Sequence, residues 1–296
     1  MGVRRAVDLA TQEWSDDMAR EACQESKKTD DCDTGSSCRK VYTLGPLIHN
    51  PKVLKTLEER GVNILHMDGI SALPEGSTVI IRAHGVSPLV EKELAGQGVN
   101  IIDATCPHVK VSQQKVKDFA ERGYWVFLAG EENHAEITGL RGYVPAHCFV
   151  VGNPVEAERA ALNLSSIEPA AKTALIGQTT IRDEEYRAIG ETIRQFFLSL
   201  EIVDSICSAT KDRQEALREL CEKTDAVVIA GGSESANTKR LLLLARELGK
   251  PAWLLEAASK IPPELGAYET VGISAGASTP GELITEIEEA LKAIQQ

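Results

Sequence analysis

The chain has 296 residues and a net charge of −12, from 32 Lys and Arg against 44 Asp and Glu. This length predicts two or three domains, and the acidic balance argues against sequence-independent binding of nucleic acid, which needs clustered cations. No apolar run approaches the roughly 18 residues of a membrane-spanning helix, and the first residues lack the apolar core of a signal peptide. We therefore expect a cytoplasmic protein that binds neither membranes nor nucleic acid.

Short β-branched runs alternate with amphipathic helical patterns, which predicts an α/β protein with largely parallel sheets. A polar stretch over about 20–39 has loop composition and predicts an exposed insertion without catalytic residues. In chain order the predicted elements are a helix over 52–60, a strand over 99–102, a helix over 110–122, strands over 124–128 and 174–176, a helix over 213–222, a strand over 226–229, a helix over 238–248, a strand over 270–273 and a helix over 280–294.

Recurring elements indicate one repeated unit. A run that ends in cysteine and passes into a helix occurs at Cys106 and again, 101 residues later, at Cys207. A strand followed by a polar turn leads to His134 and to Ser235, each of which lies 28 residues after its cysteine. A third kind of strand ends on small or polar groups in each repeat. These spacings predict three related α/β units.

We call these units lobe one (1–103), lobe two (104–203) and lobe three (204–296, with the C-terminal helix). A pseudo-threefold arrangement of the lobes would direct their sheets at one central cavity. Ligands of open α/β sheets bind beyond the carboxyl ends of the strands. The polar residues at these strand ends are therefore the candidate site.

The residues at the strand ends suit an anionic ligand. Small-residue turns before helix N-termini present backbone N–H groups and the positive end of the helix dipole to phosphate. No Walker-type sequence and no clean Gly-x-Gly-x-x-Gly turn occurs, which leaves ATP and dinucleotide sites unsupported. His49, His84 and His134 add imidazole donors. Any one of them is more often a structural histidine, but three at repeated turn positions favour an anion site.

Two cysteines and one glutamate add further chemistry. Cys106 and Cys207 would meet at a threefold centre, where thiolates favour zinc or an iron–sulfur cluster, although buried structural thiols are the alternative. Glu136 follows His134 by two residues. Beside an anion its pKa should be raised, which suits a proton donor, and a solvated carboxylate is the alternative.

The other five cysteines carry less information. Cys148 and Cys221 lie in apolar surroundings without other chemistry nearby. Cys23, Cys32 and Cys38 lie in the polar insertion, where surface thiols are the favoured interpretation and a zinc site is the alternative.

Five motifs together resemble one known family. They are Ala83-His84-Gly85, Asp103-Ala104-Thr105-Cys106-Pro107, Gln178-Thr179-Thr180, Cys207-x-Ala209-Thr210-x-x-Arg213-Gln214-Glu215-Ala216 and Ala275-Gly276-Ala277-Ser278. In this order they are similar to the 4-hydroxy-3-methylbut-2-enyl diphosphate reductase (IspH/LytB) family, from Met1 to about Leu291. The resemblance implies a three-lobed α/β enzyme with a central 4Fe-4S cluster. It also implies that the enzyme reduces its allylic substrate to isopentenyl and dimethylallyl diphosphate, with loss of water.

The resemblance implies a role for individual residues as well. Cys106 and Cys207 would be cluster ligands, and Glu136, with Thr179 beside it, would deliver a proton to the leaving oxygen. Ala236 stands where many relatives have a second serine. The implied electron donor is ferredoxin or flavodoxin, and we expect a monomer. The implied substrate-binding residues are His49, His84, His134, Thr179, Ser235, Asn237 and Ser278.

The N-terminus departs from the family pattern. By the spacing of the other lobes, the first cysteine of lobe one falls near position 1, where resembling sequences read Cys-Met-Gly-Val-Arg-Arg-Ala or similar. We therefore expect a truncated or mis-assigned start that lacks the first strand and one cluster ligand, with an unpaired sheet edge in lobe one. Two alternative functions stay open: a non-catalytic diphosphate-binding relative without a stable cluster, and a zinc or redox protein that uses Cys23, Cys32 and Cys38.

Overall fold

The computed structural model describes residues 6–8, 10, 12, 40–47 and 51–294. His49 and the cysteines Cys23, Cys32 and Cys38 lie outside the described residues, as does the polar insertion. The chain divides into two compact parts, the first unit (Met1–Lys110) and the second unit (Val111–Gln296). The three lobe boundaries and the pseudo-threefold arrangement stay predictions.

The first unit contains a parallel four-stranded sheet, sheet one, with strand order β2-β1-β3-β4. Helices and a 3-10 turn, Met67–Ala72, connect the strands. The strands are β1 (Val41–Leu44), β2 (Val62–Leu65), β3 (Thr78–Ile81) and β4 (Asn100–Asp103), and the helices are α1 (Pro51–Glu59) and α2 (Pro88–Gly96). Helix α3 (Pro107–Glu121) follows β4 and continues into the second unit.

The second unit contains two parallel sheets: sheet two, in the order β6-β5-β7-β8, and sheet three, in the order β10-β9-β11. The strands are β5 (Trp125–Ala129), β6 (Cys148–Val151), β7 (Thr173–Gly177), β8 (Glu201–Ile202), β9 (Ala226–Ala230), β10 (Ala252–Leu255) and β11 (Val271–Ala275). The helices are α4 (Ala135–Arg141), α5 (Pro154–Ile167), α6 (Asp183–Arg194), α7 (Ser208–Lys223), α8 (Ala236–Glu247) and α9 (Gly281–Ile294), and two 3-10 turns span Ala258–Lys260 and Pro263–Ala267.

Helices cover both faces of sheet two, which explains why its central strands read as continuous apolar runs. Phe127 of β5 packs on one face with Leu164 of α5 and Ile189 of α6. The next residue, Leu128, points to the opposite face and packs with Ile137 of α4. Burial of each such side chain contributes about 1.5–3 kcal/mol, so the sheet is a rigid support for the loops at its carboxyl end.

A repeated backbone hydrogen bond supports the internal repeat. In each sheet, the glycine after the central strand donates its N–H to the last carbonyl of the neighbouring outer strand. The pairs are Gly45 with Leu65, Gly130 with Val151 and Gly231 with Leu255, at 2.8, 3.0 and 3.0 Å. The central strands therefore end in the same way in all three sheets.

The strand before each cysteine joins the sheet of the preceding repeat. Strand β4 pairs with β3 in sheet one, and β8 pairs with β7 in sheet two. Sheet one thus has the same four-strand order as sheet two, whereas sheet three has three strands among residues 51–294. The expected lack of a first strand in lobe one stays a prediction, because all four strands of sheet one lie within 41–103.

Every predicted helix and strand has a counterpart in the structure. The largest shift is at α7, which begins at Ser208 rather than at residue 213. Its first turns bury Thr210 and Gln214 instead of apolar side chains, so the apolar periodicity starts late. No helix in the described ranges combines the length and the apolar character that crossing a membrane requires.

Three arginine–carboxylate pairs link lobes two and three within the second unit. Arg182 pairs with Glu247, and Arg218 lies 2.5 Å from Glu184. Arg240 of α8 lies 3.5 Å from Glu131 in the turn after β5. Residues 104–203 and 204–296 are therefore joined by polar contacts.

Candidate active site

Glu136 and Thr179 form a hydrogen-bonded pair in the second unit. Glu136 lies in the first turn of α4, and Thr179 lies just beyond the end of β7. The backbone N–H of Thr179 donates to Glu136 Oε1 at 2.7 Å, and its hydroxyl donates to Oε2 at 2.8 Å. Glu136 is only 1% exposed. The two residues that the family resemblance implies for one proton relay are therefore in direct contact.

Burial sets the protonation of this pair. Desolvation raises the pKa of Glu136 to about 7, against the two hydrogen bonds from Thr179 and the positive charge of Arg240, which lower it. A carboxyl group with a pKa close to neutral carries a proton for a substantial fraction of the time at physiological pH. This is the property required of a general acid.

His134 and Ser235 occupy equivalent positions on two helices. His134 is the N-cap of α4, where its Nδ1 accepts a hydrogen bond from the N–H of Glu136 at 3.2 Å. Ser235 is the N-cap of α8, where its hydroxyl accepts from the N–H of Thr238 at 3.4 Å. Because Nδ1 is an acceptor, the proton of a neutral His134 ring is on Nε2. That N–H has the chemistry needed to bind an anionic oxygen.

Asn237 has a buried amide group at the start of α8 that suits an anionic ligand. It is the second residue of α8 and only 6% exposed, and its Nδ2 has no hydrogen-bond partner among the described residues. An unsatisfied buried donor is unfavourable, and the N-terminus of a twelve-residue helix favours negative charge. The amide and the helix end together fit a phosphate oxygen.

The remaining predicted binding residues lie near other strand ends. His84 follows β3 in the first unit, and Ser278 follows β11 in the second. Both side chains are half-buried. His49 lies outside the described residues, so its predicted role has no structural test.

Cys106 and Cys207 share one backbone setting. Each cysteine N–H donates to the carbonyl two residues past the end of the neighbouring strand, namely Ala83 at 2.9 Å and Thr179 at 3.0 Å. The carbonyl of each cysteine in turn accepts a hydrogen bond from a backbone N–H of the helix that follows. The donor is Lys110 for Cys106 and Lys211 for Cys207. Both thiols are free and half-buried, and each lies at the N-terminus of a helix.

The donor set fits an iron–sulfur cluster in kind but not in number. In the described part of the chain no three His, Cys, Asp or Glu side chains are grouped so as to hold a metal. Cys148 is unsuited to the role, because burial raises the pKa of its thiol to about 12 and keeps it protonated. Cys221 is buried in the core between sheet three and its helices, as expected for a structural cysteine.

The sequence reasoning missed one site residue, Arg240. Its guanidinium reaches from α8 to the loop after β7, where it donates to Thr180 Oγ1 and to Gln178 Oε1. The helix pattern could have indicated Arg240, because this residue lies on the same face of α8 as the buried Asn237, Leu241 and Leu244. An arginine within a buried helix face is unusual and indicates a specific partner.

Comparison with known proteins gives a consistent result. The sequence profile of the family described as LytB protein matches residues 1–292. A relative named 4-hydroxy-3-methylbut-2-enyl diphosphate reductase from Treponema denticola is 40% identical over 98% of this chain and 94% of its own length. A relative of the same name from Caldanaerobacter subterraneus is 34% identical over 99% of this chain and 93% of its own.

Two solved structures are similar as well. The Plasmodium falciparum E-1-hydroxy-2-methyl-but-2-enyl-4-diphosphate reductase has a TM-score of 0.83 and 25% identity, over 97% of this chain and 83% of that one. A structure described as (E)-4-hydroxy-3-methyl-but-2-enyl diphosphate reductase, the terminal enzyme of the non-mevalonate pathway, has a TM-score of 0.63 and 34% identity, over 99% and 95%.

Proposed function

The chain belongs to the LytB protein family, and from that premise we propose that it is a 4-hydroxy-3-methylbut-2-enyl diphosphate reductase. The reaction breaks the allylic C–O bond of the substrate. Two electrons and two protons enter, and the products are water with isopentenyl or dimethylallyl diphosphate. The observation that carries this proposal is the buried Glu136–Thr179 pair, whose carboxyl pKa of about 7 suits delivery of a proton to a leaving oxygen.

The diphosphate is held by groups that donate hydrogen bonds from several strand and helix ends. The Asn237 amide, which has no partner among the described residues, and the N-terminus of α8 support this assignment. Neutral donors can bind a diphosphate when helix dipoles supply the positive potential. The proposed set is His49, His84, His134, Thr179, Ser235, Asn237 and Ser278.

Glu136 acts as the proton donor and Thr179 as its relay. The Thr179 hydroxyl lies 2.8 Å from Glu136 Oε2, so a proton can pass between them without rearrangement of the backbone. Exclusion of water around this carboxyl group, which is 1% exposed, raises its pKa to about 7 and so favours the neutral form that donates the proton.

Cys106 and Cys207 would hold the 4Fe-4S cluster that the family resemblance implies. When bound, such a cluster supplies electrons and a Lewis-acidic iron for the hydroxyl oxygen. The thiols suit this role because both lie at helix N-termini. Ferredoxin or flavodoxin is the proposed electron donor, and the monomeric state and cytoplasmic location stay predictions.

Anaerobic reconstitution with iron and sulfide tests the proposed function. Because two candidate cluster thiols lie among the described residues, we expect a brown protein that loads the cluster only partly. It should consume 4-hydroxy-3-methylbut-2-enyl diphosphate slowly with a reduced viologen dye and form both products, as measured by mass spectrometry. Cys207→Ala should abolish cluster binding, whereas the matched variant Cys148→Ala should retain it. A colourless protein that binds inorganic diphosphate but leaves the substrate unchanged would instead support the non-catalytic alternative.

A further inference from the structure

Arg240 is a buried cation for which the proposed reaction has no direct use. It lies in α8, three residues after Asn237, and is only 7% exposed. Burial of a guanidinium group is unfavourable unless its N–H groups are satisfied. Its partners therefore indicate what it holds in place.

The guanidinium of Arg240 binds both residues that flank Thr179. Its Nη1 donates to Thr180 Oγ1 at 2.6 Å, and its Nη2 donates to Gln178 Oε1 at 3.3 Å. The Gln178 amide also donates to Thr180 Oγ1 at 2.9 Å. Because the guanidinium is a planar fork with several donors, it can fix both positions at once, which a lysine ammonium cannot do in the same geometry.

Among the described residues, Arg240 has one ion pair, with the half-exposed carboxylate of Glu131, so stability alone does not explain its buried charge. Glu131 Oε1 lies 3.5 Å from Nη2, but the Glu131 side chain is 52% exposed. Desolvation lowers the pKa of Arg240, and the nearby carboxylates of Glu131, Glu185 and Glu136 oppose that change. An ion pair with one exposed member contributes little to stability. The burial of Arg240 is therefore better explained by its hydrogen bonds to the loop after β7.

We propose that Arg240 is a positioning residue that holds Thr179 against Glu136, a role that rests on the proposed function. Thr179 makes both hydrogen bonds to Glu136, and Arg240 fixes the residue on either side of it. Asn237 and Arg240 lie about one turn apart on the buried face of α8. One rigid helix thus fixes both the anion-binding amide and the partner of the acid.

Steady-state kinetics of the cluster-loaded enzyme give the first test. Arg240→Gln should lower kcat about 10- to 100-fold, because the relay is misplaced, while KM changes less than about threefold. Arg240→Lys keeps the charge but not the planar guanidinium group, so it should also lower kcat more than it changes KM, by a smaller factor. This variant tests the proposal if Arg240→Gln fails to fold. Arg218→Gln is the matched control, because it removes another arginine that links lobes two and three. An unchanged kcat in the Arg240 variants would overturn the proposal.

A double-mutant cycle separates positioning from a general structural effect. If Arg240 acts through Glu136, Arg240→Gln should cause no further loss of kcat in a Glu136→Gln background. A fully additive loss in the double variant would contradict this role.

Amide hydrogen exchange tests the same role without catalysis. The Thr179 N–H should exchange about tenfold faster or more in Arg240→Gln, because its hydrogen bond to Glu136 is no longer held, and should be unchanged in Arg218→Gln. Unaltered exchange at Thr179 in both variants would refute the positioning role. Failure of the proposed function is a separate result, since it would appear as no turnover by the parent chain.

Discussion

The first turns of α4 and α8 are equivalent in backbone and opposite in chemistry. His134 and Ser235 are the N-caps of these helices, and Glu136 and Asn237 are the second residues. Both N-cap side chains accept a backbone N–H within the first turn. The repeat has therefore kept one scaffold and placed a carboxyl group in lobe two where lobe three has an amide.

The loops near Glu136 and Asn237 also differ between the two lobes. The N–H of Gln178 and that of Gly276 bind equivalent carbonyls, Ala129 and Ala230, at 2.7 and 2.9 Å. The following residues are Thr179 in lobe two and Ala277 in lobe three. Lobe two therefore offers a hydroxyl group to its carboxyl, whereas the corresponding residue of lobe three has only a methyl group.

A single backbone geometry thus serves two purposes. In lobe two both carboxyl oxygens of Glu136 are satisfied internally, and burial tunes the proton affinity of the group. In lobe three the Asn237 amide has no partner among the described residues and is available to a ligand. In the proposed function, the residue at the second helical position and its neighbour across the sheet edge together determine whether the site donates a proton or binds an anion.

Replacing the carboxyl group of Glu136 with an amide, the group that lobe three has at Asn237, should have the largest effect on turnover. Glu136→Gln should lower kcat by about two or more orders of magnitude, because the amide keeps the shape but cannot deliver a proton in the same way. Cluster content and substrate affinity should change little. Steady-state turnover and iron analysis would measure this, with Glu132→Gln, which changes an exposed glutamate in the turn before α4, as the control. Near-normal turnover in Glu136→Gln would remove Glu136 from its assigned role.

The reverse exchange in lobe three should impair binding rather than chemistry. Asn237→Asp removes a donor and adds a negative charge, so the affinity for inorganic diphosphate should fall about thirtyfold, equivalent to roughly 2 kcal/mol. An aspartate near a helix N-terminus does not by itself destabilise the helix. Calorimetric titration would measure the affinity, and Asn163→Asp, at an exposed position of α5, is the control. Equal diphosphate affinity in parent and Asn237→Asp would place the anion elsewhere.

The pH dependence of kcat/KM should show a smaller effect that also distinguishes the carboxyl group of Glu136 from an amide. The pKa of Glu136 is raised to about 7, so the carboxyl group is protonated below that pH and loses its proton above it. Since the protonated form is the donor, kcat/KM should fall about fivefold between pH 7 and pH 8 and level off toward lower pH. The Glu136→Gln variant should lack this step. A profile for the parent that is flat through pH 8 would show that another group limits the reaction.

Much of the architecture was accessible from the sequence because parallel, buried strands leave continuous apolar runs. The 101-residue spacing between His134 and Ser235 is now explained by two N-caps on equivalent helices. The pairing of Glu136 with Thr179 came from the family resemblance, and the structure brings the two residues into contact. These features depend on local patterns, or on motifs with known relatives.

Features that depend on tertiary partners were not accessible in the same way. Arg240 contacts residues about 60 positions earlier in the chain, and no local pattern specifies that contact. The orphan amide of Asn237 is likewise a property of its surroundings. The pairing of β4 and β8 with the preceding repeat is set by sheet register, which a run of apolar residues does not encode.

The arginine–carboxylate links between lobes two and three give this part of the molecule a graded response to ionic strength. Glu247 and Glu184 are 54% and 63% exposed, so their pairs with Arg182 and Arg218 are open to counterions. The screening length falls from about 8 Å at physiological ionic strength to about 3 Å at 1 M salt. Arg240 is shielded from those ions by its burial. Concentrated salt should therefore weaken the Arg182–Glu247 and Arg218–Glu184 pairs while the contacts of Arg240 stay intact, so that these links loosen in stages rather than in one step.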